Sequence, residues 1–425
     1  MHFVIVGNGV AGISAAFTVR QREPEATITV ISEESDYFFS RTALMYAFMD
    51  RMTLRDLEPY ERKVYDAQAI RRMKDRVIDL DASSRCLRLR SGERVTYDRL
   101  LLATGSVPNL PSWPGLGSAR HGVAHLVSLQ DLEHCERLAA KARNAMVVGG
   151  GLIGVELVEC LAFHGMHVVF LVREPWYWPV ALSGEEAGMI SAHIRRHGVD
   201  VRVDEEVSEI LTDDAGSVRG VRTLAGSEFR CEMLGIAIGV HPAVEWLQQV
   251  TTPPGVGRGI QVAPDFRTSL EHVWAAGDCA EIQLDGRPPL VEQLWYSAKR
   301  QGELAARSML GDAIRYDPPI FYNSSKFFEI EFTTVGTVVN APAESVHSYR
   351  RLPGKEISVH VVAFQGAVIG FNMLGSRWNH TFFERWIMER RSLDYVLRHL
   401  PAAQFDVEFG GQDWAPLLSA ERTEA

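Results

Sequence analysis

Two glycine-rich segments have the residue types and the spacing that bind nucleotide phosphates. The first, GNGVAG at residues 7–12, follows a short apolar run and precedes a stretch of helical periodicity. There Gly7 permits a tight turn, Gly9 lets a pyrophosphate approach the backbone, and Gly12 lets helix and strand pack closely. About twenty residues later, Glu33 can bind a ribose diol, one residue beyond the usual position of that acid. A glycine turn without a ligand is the alternative, but the strand, the helix and the acid favour a dinucleotide site.

The second segment, GGGLIG at residues 149–154, also has an apolar run before it and a helical pattern after it. The next strand ends near Val172, and Arg173 and Glu174 follow. Glu174 can bind the ribose diol of NADH, whereas Arg173 can meet the 2′-phosphate of NADPH or lie in solvent. We favour NADH, because an acid beside a single arginine repels a phosphate.

A third segment, HVWAAGDCAE, ends a buried run in Gly277 and Asp278. An acid at the carboxyl end of a strand can bind a ribityl hydroxyl, although by itself it would more simply cap a helix. Cys279 is expected to be a small buried residue, since nothing near it in sequence lowers a thiol pKa. If one glycine segment binds NAD, the most economical ligand for the other is FAD, which exchanges electrons with it.

Both glycine segments open βαβ units, which predicts an α/β fold with two Rossmann-like dinucleotide-binding domains. From about Pro318 the pattern changes to antiparallel strands followed by an amphipathic helix, so a C-terminal α+β interface domain is expected. The predicted domains are a discontinuous FAD-binding domain, an NAD(P)H-binding domain and an interface domain, at residues 1–112 with 246–316, 113–245 and 317–425.

Composition narrows the class of protein and its partners. The net charge of −10 argues against nucleic acid as the main partner, because phosphate binding requires a basic face. The five cysteines form no CxxC pair, so neither a disulfide framework nor a metal site is predicted. No apolar run reaches about 18 residues, so no integral membrane segment is expected. With no secretion signal at its start, the sequence predicts a cytoplasmic protein.

The order GxGxxG, ATG, GGGxxGxE and AAGD resembles the pyridine nucleotide-disulfide oxidoreductases, flavoprotein reductases with two dinucleotide domains, from residue 1 to about 315. The resemblance implies FAD on the first motif and NADH, or NADPH, on the second. It implies two catalytic residues: Arg41 would stabilise reduced flavin and Glu156 would place the nicotinamide, which stacks on the flavin. A structural ion pair is the alternative role for Arg41. The implied cofactor-binding residues are Gly7, Gly9, Val10, Ala11, Gly12, Glu33, Arg41, Thr42, Ala103, Thr104, Gly105, Gly149, Gly151, Ile153, Gly154, Glu174, Gly239, Gly277, Asp278, Glu292, Gln293 and Trp295.

Finer features resemble one branch of the family. VISEES followed by SRTALM is similar to monodehydroascorbate reductase, apoptosis-inducing factor and the ferredoxin and rubredoxin reductases. Residues 392–409 resemble the tail of coenzyme A disulfide reductases, which implies a homodimer. Thr42 stands where cysteine-dependent relatives carry the redox cysteine, so electrons are expected to leave the flavin directly. The lysine that pairs with the family glutamate is also replaced, by Met45 and Tyr46, and Arg41 or Tyr46 is the expected partner of Glu156.

Three hypotheses for the function of the protein remain open, and the first two differ in the electron acceptor. The first is a small acidic redox protein of ferredoxin or rubredoxin type, which would dock on a basic face. The second is a small molecule such as a quinone, an organic radical or oxygen. The third reading is a slow reductase that acts as an NADH-sensing interaction protein. The C-terminal aromatic helix could lie on a bilayer surface, but packing against its own chain or a dimer mate is the prediction for Trp378, Phe382, Phe383, Trp386 and Ile387.

Overall fold

The computed structural model describes residues 1–405 and 414. The helices of this part are α1 (Val10–Arg22), α2 (Leu44–Phe48), α3 (Arg62–Ala67), α4 (Leu129–Ala139), α5 (Leu152–Phe163), α6 (Gly184–Arg196), α7 (Trp295–Met309), α8 (His380–Met388) and α9 (Leu393–His399). Short 3-10 turns occupy Arg41–Ala43, Leu116–Ser118, Glu245–Gln249 and Leu400–Ala403. The end of the tail that resembles coenzyme A disulfide reductases, residues 406–409, lies outside the described residues.

The strands of the described chain form parallel and antiparallel sheets. They are β1 (His2–Val6), β2 (Thr27–Ser32), β3 (Ile70–Lys74), β4 (Val77–Asp81), β5 (Cys86–Leu89), β6 (Arg94–Thr96), β7 (Arg99–Leu102), β8 (Ser106–Pro108), β9 (Val123–Ala124), β10 (Asn144–Val148), β11 (His167–Leu171), β12 (Asp200–Arg202), β13 (Val207–Thr212), β14 (Val218–Thr223), β15 (Glu228–Arg230), β16 (Met233–Ile236), β17 (Val240–Pro242), β18 (Ile260–Val262), β19 (Val273–Ala275), β20 (Ala280–Ile282), β21 (Tyr322–Phe327), β22 (Ile330–Gly336), β23 (Val346–Arg351), β24 (Ser358–Phe364) and β25 (Ala367–Leu374).

The chain divides into two compact units. The first unit contains Met1–Leu110, His125–Glu136 and Gly239–Asp317. The second contains Pro111–Ala124, Arg137–Ile238 and the chain from Pro318 onward. The second unit thus holds both the second glycine segment and the C-terminal strands. The three predicted domain boundaries stay a prediction.

The first unit is built on a five-stranded parallel sheet in the order β19-β7-β1-β2-β3. Strands β1, β2, β7 and β19 are almost entirely buried, because helices cover a parallel sheet on both faces, whereas the edge strand β3 is largely accessible. Smaller sheets (β4-β5-β6, β8 with β17, β18 with β20) complete the unit. The α/β prediction is confirmed here, since a strand, a glycine turn and a helix open the chain as expected.

Helices α1 and α7 of this unit approach each other at backbone distance. A Cβ atom on Gly302, in the middle of α7, would lie 2.1 Å from the carbonyl oxygen of Ala11 on α1. A Cβ on Gly277, which has φ +79°, would lie 2.8 Å from the Cβ of Ala11. Two glycines therefore set how closely α7 and the turn after β19 pack against the start of α1.

The second unit repeats the parallel arrangement and adds an antiparallel sheet. Strands β12-β11-β10-β16-β9 are parallel, with α5 between β10 and β11. The C-terminal sheet has the order β21-β22-β25-β24-β23 and is antiparallel throughout. The run KFFEIEFTTVG, taken from sequence as strand, is a hairpin whose turn lies at Phe328, with φ +54°, and Glu329.

The C-terminal aromatic helix packs against its own chain, as predicted. Trp378, Phe383 and Trp386 are buried in the core of the antiparallel sheet, and Phe382 and Ile387 are partly buried against it. This burial leaves the aromatic face no room to bind a bilayer. In the described part of the chain, no helix is long and apolar enough to cross a membrane.

Replacing Gly302 with alanine tests the α1–α7 contact. The new methyl group would collide with the Ala11 backbone, which cannot move as a side chain can, so we expect Gly302→Ala to lower the melting temperature by roughly 5 °C or more. Gly188→Ala is the matched control, because Gly188 is also helical but has open space around it. It should hold or slightly raise the melting temperature. Equal effects of the two substitutions in a calorimetric scan would contradict the packing argument.

Candidate functional site

The first glycine turn is held open by backbone contacts that admit only glycine. Gly7 has φ +113°, and a Cβ there would lie 1.9 Å from the carbonyl oxygen of Ala103. A Cβ on Gly12 would lie 2.0 Å from the carbonyl oxygen of Gly7. Gly9, in contrast, has no atom within 4 Å of its Cβ position. The tight turn and the open space beside Gly9 are what a pyrophosphate requires.

The start of α1 offers unpaired donors to an anion. Its N-cap is Gly9, no side chain caps the helix, and its first turn, with Val10 and Ala11, carries no acidic residue. The free amide groups and the helix dipole therefore favour a phosphate. Beside them, Asn8 Oδ1 is buried with no hydrogen-bond partner among the described residues. The residues present fit the pyrophosphate of a bound FAD.

The carboxyl ends of β7 and β19 bring further predicted residues to the same sheet edge. Ala103, Thr104 and Gly105 follow β7, and Gly277 and Asp278 follow β19, its neighbour in the sheet. Ser106 donates to Asp278 Oδ2 over 2.8 Å. Burial raises the pKa of the Asp278 carboxyl. The Asp278 carboxylate can accept a further hydrogen bond, which suits a ribityl hydroxyl. Ligands of parallel sheets bind at this edge.

The segment before α7 forms a hydrogen-bonded network with that edge. Glu292 Oε2 accepts from the Tyr316 hydroxyl at 2.5 Å and from Gln301 Nε2 at 3.0 Å, and Gln301 Oε1 accepts from Gly277 N at 2.9 Å. The buried nitrogens Gln293 Nε2 and Trp295 Nε1 have no acceptor among the described residues. Two buried donors without partners point to a ligand that accepts from them. Gln301 and Tyr316 were missed from sequence, because nothing local relates them to Glu292.

Arg41 forms a structural ion pair, which was the alternative considered from sequence. Its guanidinium binds both carboxylate oxygens of Glu34, at 3.0 and 2.7 Å, and donates to the carbonyl oxygen of Val127. Glu34 also accepts from the amide of Leu129 at 3.0 Å. The pair therefore joins the segment after β2 to the start of α4. Its catalytic role stays a prediction.

Two other predicted residues of the first unit lie on exposed surface. The Glu33 side chain is half exposed and pairs with Arg90 at 3.2 Å and Arg76 at 3.7 Å, so a ribose diol would have to compete with two guanidinium groups. Thr42 lies in the Arg41–Ala43 turn, with its hydroxyl 3.3 Å from that of Ser40.

The second glycine turn repeats the first in the second unit. Gly149 has φ +119°, and a Cβ there would lie 2.2 Å from the carbonyl oxygen of Ala237. A Cβ on Gly154 would lie 2.0 Å from Gly149 O, whereas Gly151 has open space. Gly151 also begins α5 without a side-chain cap, next to Ile153 in its first turn. The turn fits a second pyrophosphate.

Glu174 and Gly239 are the remaining residues predicted to bind a dinucleotide. Glu174 lies two residues beyond the buried Val172, and its carboxylate is 3.1 Å from Arg173 NH2. Its own neighbour therefore neutralises the acid in the absence of a ribose. Gly239, with φ +97°, lies in the first unit, where its carbonyl oxygen accepts from Asn109 N at 3.0 Å.

Glu156 belongs to a charged cluster that the sequence did not reveal. Lys326 on β21 donates to Glu159 Oε1 on α5 over 2.6 Å, with Glu159 buried. Burial and the Glu159 charge raise the pKa of Glu156 to about 8, and Lys326 opposes them. Lys326 compensates the charge of Glu159, so the Glu156 carboxyl retains its proton at neutral pH. Arg41 and Tyr46, the two partners expected from sequence, stay predictions, and Arg41 binds Glu34. Sequence could not identify Lys326, which lies 167 positions from Glu159.

The cysteines of the described residues are buried. All five lie within residues 1–405, are buried and form no disulfide. Burial raises the pKa of the Cys135 and Cys231 thiols to about 12 and also raises that of Cys279. Cys279 donates to two backbone carbonyl oxygens at 3.4 Å, as expected for a small buried residue. These thiols are poorly suited to a redox relay.

Comparison with known proteins identifies the family. Residues 1–302 match the family described as pyridine nucleotide-disulphide oxidoreductase. The chain is 26% identical to a rubredoxin-NAD(+) reductase of Pseudomonas putida over 77% of this chain and 84% of that one. It is 26% identical to an NADH oxidase of Methanocaldococcus jannaschii over 88% of each chain. The solved ferredoxin reductase of Rhodopseudomonas palustris shares the fold, with a TM-score of 0.83 at 23% identity over 96% of this chain and 98% of that one.

The family match covers most of the chain and both glycine turns, whose geometry fits two dinucleotides. It confirms the oxidoreductase prediction and the predicted cofactors, FAD and NADH. The chain therefore belongs to the pyridine nucleotide-disulphide oxidoreductase family.

Proposed function

We propose that this protein passes electrons from NADH through FAD to a small acidic redox protein of ferredoxin or rubredoxin type. When bound, FAD supplies the chemistry that accepts a hydride and releases electrons one at a time. We choose this acceptor because an exposed basic and aromatic surface lies at the start of α7. Support also comes from the rubredoxin-NAD(+) reductase relative.

The α7 surface consists of Tyr296, Lys299 and Arg300, next to Trp295. Tyr296 is 44% exposed, and Lys299 and Arg300 are exposed one turn further on. The Lys299 ammonium lies 5.9 Å from the centre of the Trp295 ring. Trp295 is predicted to lie beside the flavin, so these side chains would surround the place where electrons leave. An aromatic centre with basic neighbours suits an acidic protein partner, because the positive charges steer the partner and the rings are buried when it docks.

Within this proposal the chain's residues bind and orient both dinucleotides. The amides of α1 and α5 hold the pyrophosphates, and Asp278 accepts from the ribityl chain. The Arg41–Glu34 pair positions the segment beside the flavin and does not itself act as a free cation. Protonated Glu156 can donate to the carbonyl of the nicotinamide amide and accept from its NH2 group, which fixes the ring orientation.

Electron transfer without a thiol relay follows from Thr42 and the buried cysteines. A threonine hydroxyl stores no electrons, and none of the five thiols is available for exchange. Each acceptor must therefore collect its electrons from the flavin itself. Direct transfer from the flavin is compatible with a protein acceptor and with oxygen. Because one relative is an NADH oxidase, oxygen is the competing acceptor.

Charge reversal on α7 tests the acceptor. With NADH and an acidic rubredoxin or ferredoxin, we expect Lys299→Glu with Arg300→Glu to reduce kcat/KM for the protein acceptor roughly tenfold at low salt, because steering is lost. NADH-dependent reduction of ferricyanide, a small acceptor, should be unchanged. Arg94→Glu with Lys141→Glu is the matched control, since it changes the net charge equally at exposed positions outside this surface.

The competing outcomes of that experiment are distinct. If no redox protein reoxidises the reduced enzyme faster than dissolved oxygen or a quinone does, the proposed acceptor is wrong. If a redox protein is reduced quickly but both double variants behave alike, the acceptor class stands and the α7 docking surface is wrong.

The raised pKa of Glu156 predicts a pH-dependent stability effect. A carboxyl whose folded pKa is about 8, above its unfolded value, binds more protons when folded, so its contribution to stability falls as pH rises through this interval. Glu156→Gln keeps the neutral shape and removes that loss. We therefore expect the melting temperature of the variant, relative to wild type, to rise between pH 5 and pH 8, by several degrees in order of magnitude. A difference that does not depend on pH would show that Glu156 is ionised like an ordinary surface acid.

A further inference from the structure

Two histidines and a glutamate in the second unit bring three ligand atoms to one point. His193 and His197 are one turn apart near the end of α6, so both rings lie on one face of the helix. Glu329 lies in the turn between β21 and β22. His193 Nε2 is 2.9 Å and His197 Nε2 is 3.1 Å from the same oxygen, Glu329 Oε2. The residues belong to none of the cofactor motifs.

The outer hydrogen bonds of both imidazoles direct Nε2 toward Glu329. His193 Nδ1 is 2.6 Å from Glu356 Oε2, so a proton on Nδ1 would be donated to that carboxylate. His197 Nδ1 is 3.1 Å from the carbonyl oxygen of His193 and must also be the protonated nitrogen. Arg196 binds the other oxygen of Glu356 and lies 3.2 Å from His193 Nδ1, which fixes that carboxylate in place. With a metal ion between them and Glu329, both rings would carry their proton on Nδ1 and present the Nε2 lone pair to the ion.

Two of the three separations between these ligand atoms match a transition-metal site, and all three atoms lie within 4.8 Å of one another. Ligands bonded at 2.0–2.1 Å in a tetrahedral site are about 3.3 Å apart, close to the two observed separations. A carboxylate that holds the far nitrogen of a metal-bound histidine is the usual outer arrangement, and Glu356 has that position. Two imidazoles with one carboxylate suit Zn²⁺ rather than Mg²⁺ or Ca²⁺, which prefer oxygen ligands. A cleft of about 590 Å³, lined in part by Glu329 and Glu356, gives an ion access.

We propose that His193, His197 and Glu329 bind a zinc-class divalent ion that clamps α6 to the β21–β22 turn. The described side chains supply three ligands, and a water molecule can complete a tetrahedral site. The same turn holds Phe328, whose carbonyl oxygen accepts from Lys326 Nζ at 3.3 Å. Since Lys326 also pairs with Glu159 on α5, the ion would stabilise the turn from which that lysine reaches the Glu156 cluster.

Zinc titration of the chelator-treated holoenzyme tests this site. We expect one Zn²⁺ per chain, with a dissociation constant of about 1 μM or below, and a higher melting temperature in its presence. His197→Ala and Glu329→Gln should each weaken binding at least about tenfold. Both side chains are largely at the surface, so these variants should fold, whereas the buried His193 is a poorer choice. Glu356→Gln should weaken binding about 10- to 100-fold, because it loses only the outer partner.

His167→Ala is the matched control, since this exposed histidine of the same unit lies outside the cluster. It should bind Zn²⁺ as wild type does. The proposal is overturned if wild type binds no Zn²⁺ below about 100 μM, or if His197→Ala and Glu329→Gln bind it as tightly as His167→Ala does. Either result would mean that the cluster is held by protons shared between imidazole and carboxylate.

Discussion

The absence of a Cβ atom at four turn positions is the constraint on which both dinucleotide sites depend. At Gly7 and Gly149 a neighbouring strand's carbonyl oxygen occupies the space of a side chain, and at Gly12 and Gly154 the turn's own carbonyl does so. These contacts bring the end of one strand, the turn and the following helix together. The helix amides then point at the space beside Gly9 or Gly151, where no atom of the described residues lies within 4 Å of the Cβ position. Gly302 extends the same constraint by letting α7 reach α1, which places the Glu292 network against the turn after β19.

Charge compensation is the second determinant of the site. Arg41 binds both carboxylate oxygens of Glu34, and its charge also opposes the effect of burial on the pKa of Asp278. On α5, Lys326 pairs with Glu159, and burial together with the Glu159 charge raises the pKa of the neighbouring Glu156 carboxyl. A carboxyl group that keeps its proton can donate a hydrogen bond, which an anion cannot do.

Much of the fold follows from local sequence. Continuous apolar runs, the two glycine turns and the Gly277-Asp278 turn predict the two parallel sheets and the edge at which ligands bind, because these signals are encoded within about thirty residues. The burial of Trp378, Phe383 and Trp386 also follows from helical periodicity. The antiparallel strands of the C-terminal region were predicted, but not the position of the β21–β22 turn, because Phe328 gives no turn signal and adopts φ +54°.

The features that sequence did not reveal all join residues distant along the chain. Lys326 with Glu159, Gln301 with Gly277, and Glu329 with two histidines of α6 depend on how strands and helices pack, which no spacing rule describes. The absence of CxxC pairs led to an expectation of no metal site, but that pattern does not cover a histidine pair one helical turn apart. Pairs separated by four residues are common on helices, so this one became informative only when Glu329 and Glu356 were placed beside it.

The central claim is that FAD receives electrons from NADH and holds them without a cysteine partner. Anaerobic titration of the oxidised protein with NADH, followed by flavin absorbance, tests it most directly. The account predicts complete bleaching by about one NADH per FAD, because the flavin is then the whole electron store. Consumption of about two NADH per FAD, with a long-wavelength thiolate–flavin band at the midpoint, would reveal a redox-active thiol or disulfide and contradict the account.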